Sequence, residues 1–468
     1  MMRTIEDHAQ ALAEGRTSSR AIVDACLARI ADPGGVGARA VVKVYADTAH
    51  AAADAMDALR RAGRAPSRYA GIPVSLKDLL DVAGEPTPAG SRVLADAPPA
   101  AAHAPVVARL LAAGFVPIGR TNMVEFAFSG LGINPHFGTP RAPWGRPRDG
   151  ATAGPGDGRI PGGSSSGAAV SVADGMALGA LGTDTGGSCR IPAAFCGVTG
   201  YKPTARRVPI AGVLPLAPSL DSVGPLAPSV GCCAILDAVL AGAPAPRPPA
   251  VAEVAGLRLA VPGQVLDGWD DPAGGIDPVV AAAFERALAV LAAAGARITR
   301  IAVPEFDAIA ALNGMGGLTA AESFAWHRTL LAARAAEYDP RIRARIERGA
   351  RITAADYLDL QAARARLIAG LDARTAGFDA MVLPTAPILP ARIAALDDER
   401  EYNRVNLLSL RHTTLANFLD RCAISLPCHR AGEPPVGFML VGETMGDARL
   451  FAVAAAVEAA IGASGAGG

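Results

Sequence analysis

The chain has 468 residues, 51% of them hydrophobic and 19% charged, which supplies ample material for a buried core and argues against disorder. Its 44 basic residues balance its 44 acidic ones, so no net field favours nucleic acid or an anionic membrane surface. No apolar run is long enough to span a bilayer, and the polar start MMRTIEDHAQ lacks the apolar stretch of a signal peptide. Together with seven cysteines that form no C-x-x-C pair, these features predict reduced thiols and a cytoplasmic protein.

The first sixty residues read as helices. Thr17 or Ser18 caps a run in which Ile22, Cys26 and Ile30 recur every four residues, and a second helix spans about 48–62. Strand, helix and strand follow at Ile72–Leu76, Ala104–Ala113 (ended by Gly114) and Val116–Gly119. Residues 140–160 are a Pro/Gly/Arg loop expected to be mobile, and 241–250 a Pro/Ala spacer. Leu257–Pro262 is a strand, and Asp277-Pro278 starts a helix with Phe284, Leu288 and Leu291 on its core face, stopped by Gly295. Arg297–Val303 is a strand, 320–375 reads as long Arg-rich helices, and Phe378–Leu383 is an apolar strand. The segment Ala423–Glu458 adds two strands and a closing helix, and the last six residues are expected to be disordered. The alternation predicts an α/β fold: a mixed, largely parallel twisted sheet covered by helices on both faces.

Lysine is scarce. Of the 44 basic residues only Lys43, Lys77 and Lys202 are lysines. Arginine stays charged in proteins whereas a buried lysine can lose its proton, so a retained lysine in an apolar strand, as Lys77 is, suits the task of a base. A strand-end lysine that snorkels to solvent fits the same residues, and composition leaves both readings open.

The most informative stretch begins at Pro161: PGGSSSGAAVSVADGMALGALGTDTGGSCRIPAAFCG. It sets Ser164 and Ser188 in Gly-Gly-Ser contexts. Glycine lets the backbone take φ > 0 and present successive N–H groups, and serine adds a hydroxyl that attacks a carbonyl or relays a proton. Exposed amides beside a reactive serine are what acyl transfer needs for its oxyanion. Gly163-Ser-Ser165-Ser-Gly167 also fits the G-x-S-x-G elbow, but a loop, not a buried strand, precedes it. Gly182–Ser188 lacks the lysine of a phosphate loop. Cys189 reads as a small buried residue, and the scattered histidines support no metal site.

The block from Gly162 to Pro203, with GTDTGGSCRIPA and GYKPT, resembles the amidase signature family. GIPVSLKDL, GRTNMVEFAFSG, SLDSVGPLA, FDAMVLPTAP and ISLPC…PPVGFMLVG extend the resemblance over almost the whole chain. It implies a Ser–cisSer–Lys triad: Ser188 as nucleophile, Ser164 as bridging serine after a cis peptide, and Lys77 as base. It also implies an oxyanion hole of N–H groups from Thr185, Gly186, Gly187 and Ser188. Ala127, Phe128 and Ser129 fall on the substrate side, while Ser165, Thr183, Asp184 and Arg190 are supporting groups. No metal or other cofactor is expected.

The resemblance further implies one domain over 1–468: N-terminal helices (1–62), a catalytic core (68–230), a pocket-lining insertion (250–375) and C-terminal core elements (376–462). The expected function is a stand-alone amidase acting on a small or medium carboxamide or ureide. The alternatives are the glutaminase subunit of a tRNA-dependent amidotransferase and a non-enzymatic scaffold. The expected partner is the small-molecule amide, with no nucleic acid and no membrane, and the apolar N-terminal helices are compatible with a homodimer. Glu322, His327, Asn313, Arg411, His412 and Asn417 are further pocket candidates. No acidic or basic cluster in the sequence marks a charged substrate.

Overall fold

In the computed structural model, which describes residues 4–146, 157–265 and 275–465, eleven strands form one sheet. In chain order they are β1 (Val41–Val44), β2 (Pro73–Lys77), β3 (Val116–Thr121), β4 (Gly179–Thr183), β5 (Thr199–Lys202), β6 (Val223–Ala227), β7 (Arg258–Pro262), β8 (Arg297–Ile301), β9 (Ala380–Pro384), β10 (Ala423–Pro427) and β11 (Gly437–Val441). Their spatial order is β1-β3-β2-β4-β6-β5-β10-β11-β9-β7-β8.

The sheet is mixed, as expected, but not largely parallel. Parallel pairing is confined to β2 with β3 and β4 and to β7 with β8 and β9, and the other six pairings are antiparallel. The reason lies in the central strands: β4, β6, β5, β10, β11 and β9 run antiparallel to one another in succession. Three of these strands, β4, β5 and β6, are not revealed by β–α alternation in the sequence.

Helices cover both faces. Ala180 and Leu181 are successive residues of β4 and point to opposite sides. Ala180 joins a cluster with Ala168, Ala169 and Val172 of the helix Ser166–Ala173. Leu181 packs in the main core with Ile235 and Leu236 of the helix Val230–Ala241. The expected helix after Ser18 is present as Ser19–Ala31, with the Ser18 side chain accepting from the Ala21 N–H. Asp277 likewise caps Pro278–Ala293, whose Phe284, Leu288 and Leu291 are buried. The Arg-rich region divides into Gly317–Arg334, Pro340–Glu347 and Ala354–Thr375, the second started by Pro340 and the third by a Thr353–Asp356 capping box. The centre of the 140–160 loop and the end of the C-terminal tail lie outside the described residues.

Candidate active site

The site forms where β2 and β4 end side by side. Lys77 is the last residue of β2, fully buried, and its Nζ lies 2.7 Å from Ser164 Oγ and 2.8 Å from Thr183 Oγ1 at the end of β4. Burial pushes the Lys77 ammonium down to about 7, against the opposing pull of Cys189, Asp184 and Asp221. The Gly163–Ser164 peptide bond is cis. Ser164 leads into the helix Ser166–Ala173, and Ser165 stitches that helix start to the sheet: its Oγ donates to Thr183 O (3.3 Å), and its N–H donates to Ser188 O (3.3 Å). Gly182 makes this approach possible, because a Cβ there would sit 2.7 Å from Ser165 Oγ.

Ser188 lies in the loop between β4 and the helix Arg190–Cys196, and lines a cavity of about 780 Å³. No hydrogen bond joins the Ser164 and Ser188 hydroxyls among the described residues; such contacts commonly tighten only when substrate is bound. The loop is held by Asp184, which is fully buried and accepts from the N–H groups of Gly187 (2.8 Å) and Cys189 (3.1 Å). Its carboxylate also meets Arg190 through Nε (3.0 Å) and Nη2 (2.8 Å), and Asn417 Nδ2 (2.9 Å). Burial alone would raise the Asp184 carboxyl, but Arg190 and Asn417 hold it well below the usual carboxylate range.

The expected oxyanion donors divide. The Gly187 N–H is spent on Asp184, whereas the Thr185, Gly186 and Ser188 residues face the cavity. The Thr185 hydroxyl donates to Asp221, a buried carboxylate of the SLDS motif whose role the sequence does not disclose. Gly187 has φ +133°, and Thr413 Oγ1 would lie 2.2 Å from a Cβ there.

Ala127, Phe128 and Ser129 also line the cavity. They follow a tight turn in which Phe126 and Ala127 have positive φ. Asn406 fixes this turn, its Oδ1 accepting from Ser129 Oγ and the Gly130 N–H, both at 2.9 Å. Gly130 O in turn accepts from the Gly163 N–H (2.8 Å), so the turn and the cis peptide share one frame.

Of the outlying candidates, Asn313, Arg411 and Asn417 reach the cavity wall, and Glu322, His327 and His412 do not. Glu322 is occupied by Ser219 and Tyr357, and His327 Nδ1 pairs with Tyr338 Oη inside an aromatic cluster with Phe126. His412 Nδ1 binds Pro384 O, 2.7 Å away. Asn406 and Arg345 are wall residues that the sequence does not single out. Both sit on helices remote in sequence from the Gly/Ser block, and no local pattern marks them.

Among the described residues no group of histidines, cysteines and carboxylates is arranged to hold a metal ion, and no helix is long and apolar enough to cross a membrane. All seven cysteines are buried thiols.

The family description "Amidase" matches residues 21–451. The chain is 39% identical to a 2-amino-5-chloromuconic acid deaminase of Comamonas testosteroni, over 88% of this chain and 87% of that protein. It is 36% identical to a glutamyl-tRNA(Gln) amidotransferase subunit from Halobacterium salinarum, over 85% of this chain and 97% of that one. A crystal structure described as an amidase superposes with a TM-score of 0.85 at 30% identity, covering 98% of this chain and 99% of the other. With a match of that length and relatives of that identity over most of their lengths, the chain belongs to the amidase family and is an amidohydrolase acting on C–N bonds.

Proposed function

We propose that the chain is a stand-alone amidase that hydrolyses a small or medium carboxamide or ureide through an acyl-enzyme on Ser188. The observation that carries this reading is the fully buried 2.7 Å contact between Lys77 Nζ and Ser164 Oγ, next to Ser165, whose N–H donates to the carbonyl of the cavity-lining Ser188. Lys77 with a pKa near 7 is substantially neutral at neutral pH. It takes the Ser164 proton while Ser164 takes that of Ser188, and the Ser188 Oγ adds to the amide carbon. The negative charge on the carbonyl oxygen is met by N–H groups of Thr185, Gly186 and Ser188, since that of Gly187 is held by Asp184. As the tetrahedral adduct collapses, the relay runs backwards and delivers the proton to the leaving nitrogen. Water then repeats the sequence on the ester, releasing acid and restoring Ser188.

Likeness over most of its length to a deaminase and to an amidase supports a chain that itself releases ammonia or amine. Likeness to the amidotransferase component favours a second reading, a glutaminase that feeds a partner chain. Ammonia release by the purified chain from a panel of simple amides, ureides and glutamine separates the two, with Ser188→Ala as control. Release from an amide or ureide that Ser188→Ala abolishes is the expected result. Turnover of glutamine alone, or none until an amidotransferase partner is added, would replace it with the second reading.

A further inference from the structure

Most deeply buried arginines in this molecule face a carboxylate. Arg120 meets Asp78 at 2.7 Å, and Arg190 meets Asp184 at 2.8 Å. Arg345, on the helix Pro340–Glu347, differs. It is partly buried in the cavity wall, and among the described residues it forms no ion pair. Its Nη1 donates to Phe128 O (3.1 Å), its Nη2 makes a long contact to Asn403 Oδ1 (3.4 Å), and its guanidinium lies 5.4 Å from the centre of the Tyr402 ring. Two of a guanidinium's five N–H groups are thus engaged, both by neutral acceptors.

Burial disfavours the Arg345 charge more than Tyr402 and the Asp339 carboxylate, itself paired with Arg341, offset it, and Arg348 and Arg341 add repulsion. Arg348, one turn further, adds a second positive charge to the same wall. Asp307 and Arg411, the other charged groups there, have interactions of their own. The sequence hid this cluster because Arg345 and Arg348 sit in an arginine-rich stretch that reads as a solvated helix face.

We propose that Arg345 anchors a substrate carboxylate, so that the amide hydrolysed carries an acid group remote from its scissile bond. The assignment rests on the amidase reading of Ser188 and specifies its substrate class. A carboxylate is the natural complement, since the planar guanidinium offers parallel N–H groups to its two oxygens. The anchor is also well placed for positioning. The Asp339 N–H at the start of its helix donates to the buried Glu125 carboxylate (2.7 Å), in the same turn as Phe128. That turn reaches the cis peptide through Gly130 and Gly163. Holding the acid end of a substrate at Arg345 therefore fixes its amide end against the serines. Leu216, Leu220 and Phe418 line the same cavity and suit an apolar spacer.

The test compares adipamate with hexanamide, two amides of equal length of which only the first ends in a carboxylate. Each is measured with the full chain and with Arg345→Gln and Arg345→Lys. The expected result is a kcat/KM at least about tenfold higher for adipamate, carried by KM, in line with the strength of a charge-assisted hydrogen bond. That ratio should collapse toward unity in Arg345→Gln and recover in part in Arg345→Lys. Equal kcat/KM for the two amides, or a ratio that Arg345→Gln leaves intact, overturns the assignment. Calorimetry of adipate with Ser188→Ala protein keeps the anchor distinguishable from the chemistry. Adipate binding that is lost when Arg345→Gln is added supports the anchor even if no amide is turned over. Absence of adipate binding overturns it, while hexanamide turnover would still uphold the amidase.

Discussion

Asp184 and Arg190 stand six positions apart and meet in a two-pronged ion pair with both side chains fully buried. The pair staples the two ends of the Ser188 loop together, and the same carboxylate holds two loop N–H groups. Removing one partner leaves the other charge buried without compensation, which costs about 3–5 kcal/mol. Arg190→Ala should therefore lower unfolding stability by that order in urea denaturation, with loss of activity. A change under about 1 kcal/mol would mean that the loop is held by other means.

Lys77 predicts two pH trends that run in the same direction, both governed by one group. Turnover by a neutral lysine should give a kcat/KM that rises with pH through about 7. For stability, the folded-state pKa lies below the ordinary value of 10.5, so between about 7 and 10.5 the unfolded chain binds a proton that the folded chain does not. The cost of burying Lys77 is therefore full below about 7 and fades as pH rises. Lys77→Met should abolish turnover, stabilise the fold at acidic pH, and flatten the stability–pH curve between about 7 and 10.5. Urea titrations of both proteins across that range check the sign.

If Ser188, Ser164 and Lys77 act as one relay, their removals will not add. Ser188→Ala should lower kcat on the order of 10⁴-fold or more, and the Ser164→Ala/Ser188→Ala double variant should lose little beyond it. Single-turnover rates for Ser188→Ala, Ser164→Ala and the double variant decide the matter. Losses that multiply would show two independent contributions.

Gly187 leaves no room for a side chain. Its φ of +133° disfavours any L residue, and a Cβ would lie 2.2 Å from Thr413 Oγ1, itself bonded to Gly186 O at 2.7 Å. Gly187→Ala should displace the loop, lowering kcat by about 10²-fold and stability by about 1–3 kcal/mol. Melting curves beside steady-state kinetics would register both effects. Near-native kcat would show that the loop tolerates the shift.

The sequence marked the candidate site residues better than the sheet that holds them. Lys77, Ser164, Ser188, Asp184 and Arg190 lie in motifs whose order and spacing are distinctive, and the structure brings them within one site. Strands with β-branched and apolar runs, such as β7 and β9, were readable from pattern. β4 (GALGT), β5 (TGYK) and β6 (VGPLA) were not, because glycine and proline dilute the strand signal and burial on both faces removes the alternation. These strands contribute to making the mixed sheet, expected to be largely parallel, antiparallel in six of its ten pairings. Arg345 and Asn406 escaped for another reason: each belongs to an ordinary helix, and only the folded chain carries it to Phe128 and Ser129.

If Lys77 is the base proposed above, its position on β2 makes the reaction depend on strand phase. Ser75 and Lys77 project to one side of the sheet, where Ser75 Oγ meets Ser171 Oγ at 2.9 Å and Lys77 meets Ser164, while Val74 and Leu76 enter the main apolar core on the other. The parallel pairing of Val74, Ser75 and Leu76 with Gly179, Ala180 and Leu181 sets that phase. A slip of one residue would drive the ammonium into hydrocarbon and turn leucine toward the serines. Under the proposed relay, hydrogen-bond register, ordinarily a matter of architecture, also decides whether a proton has anywhere to go.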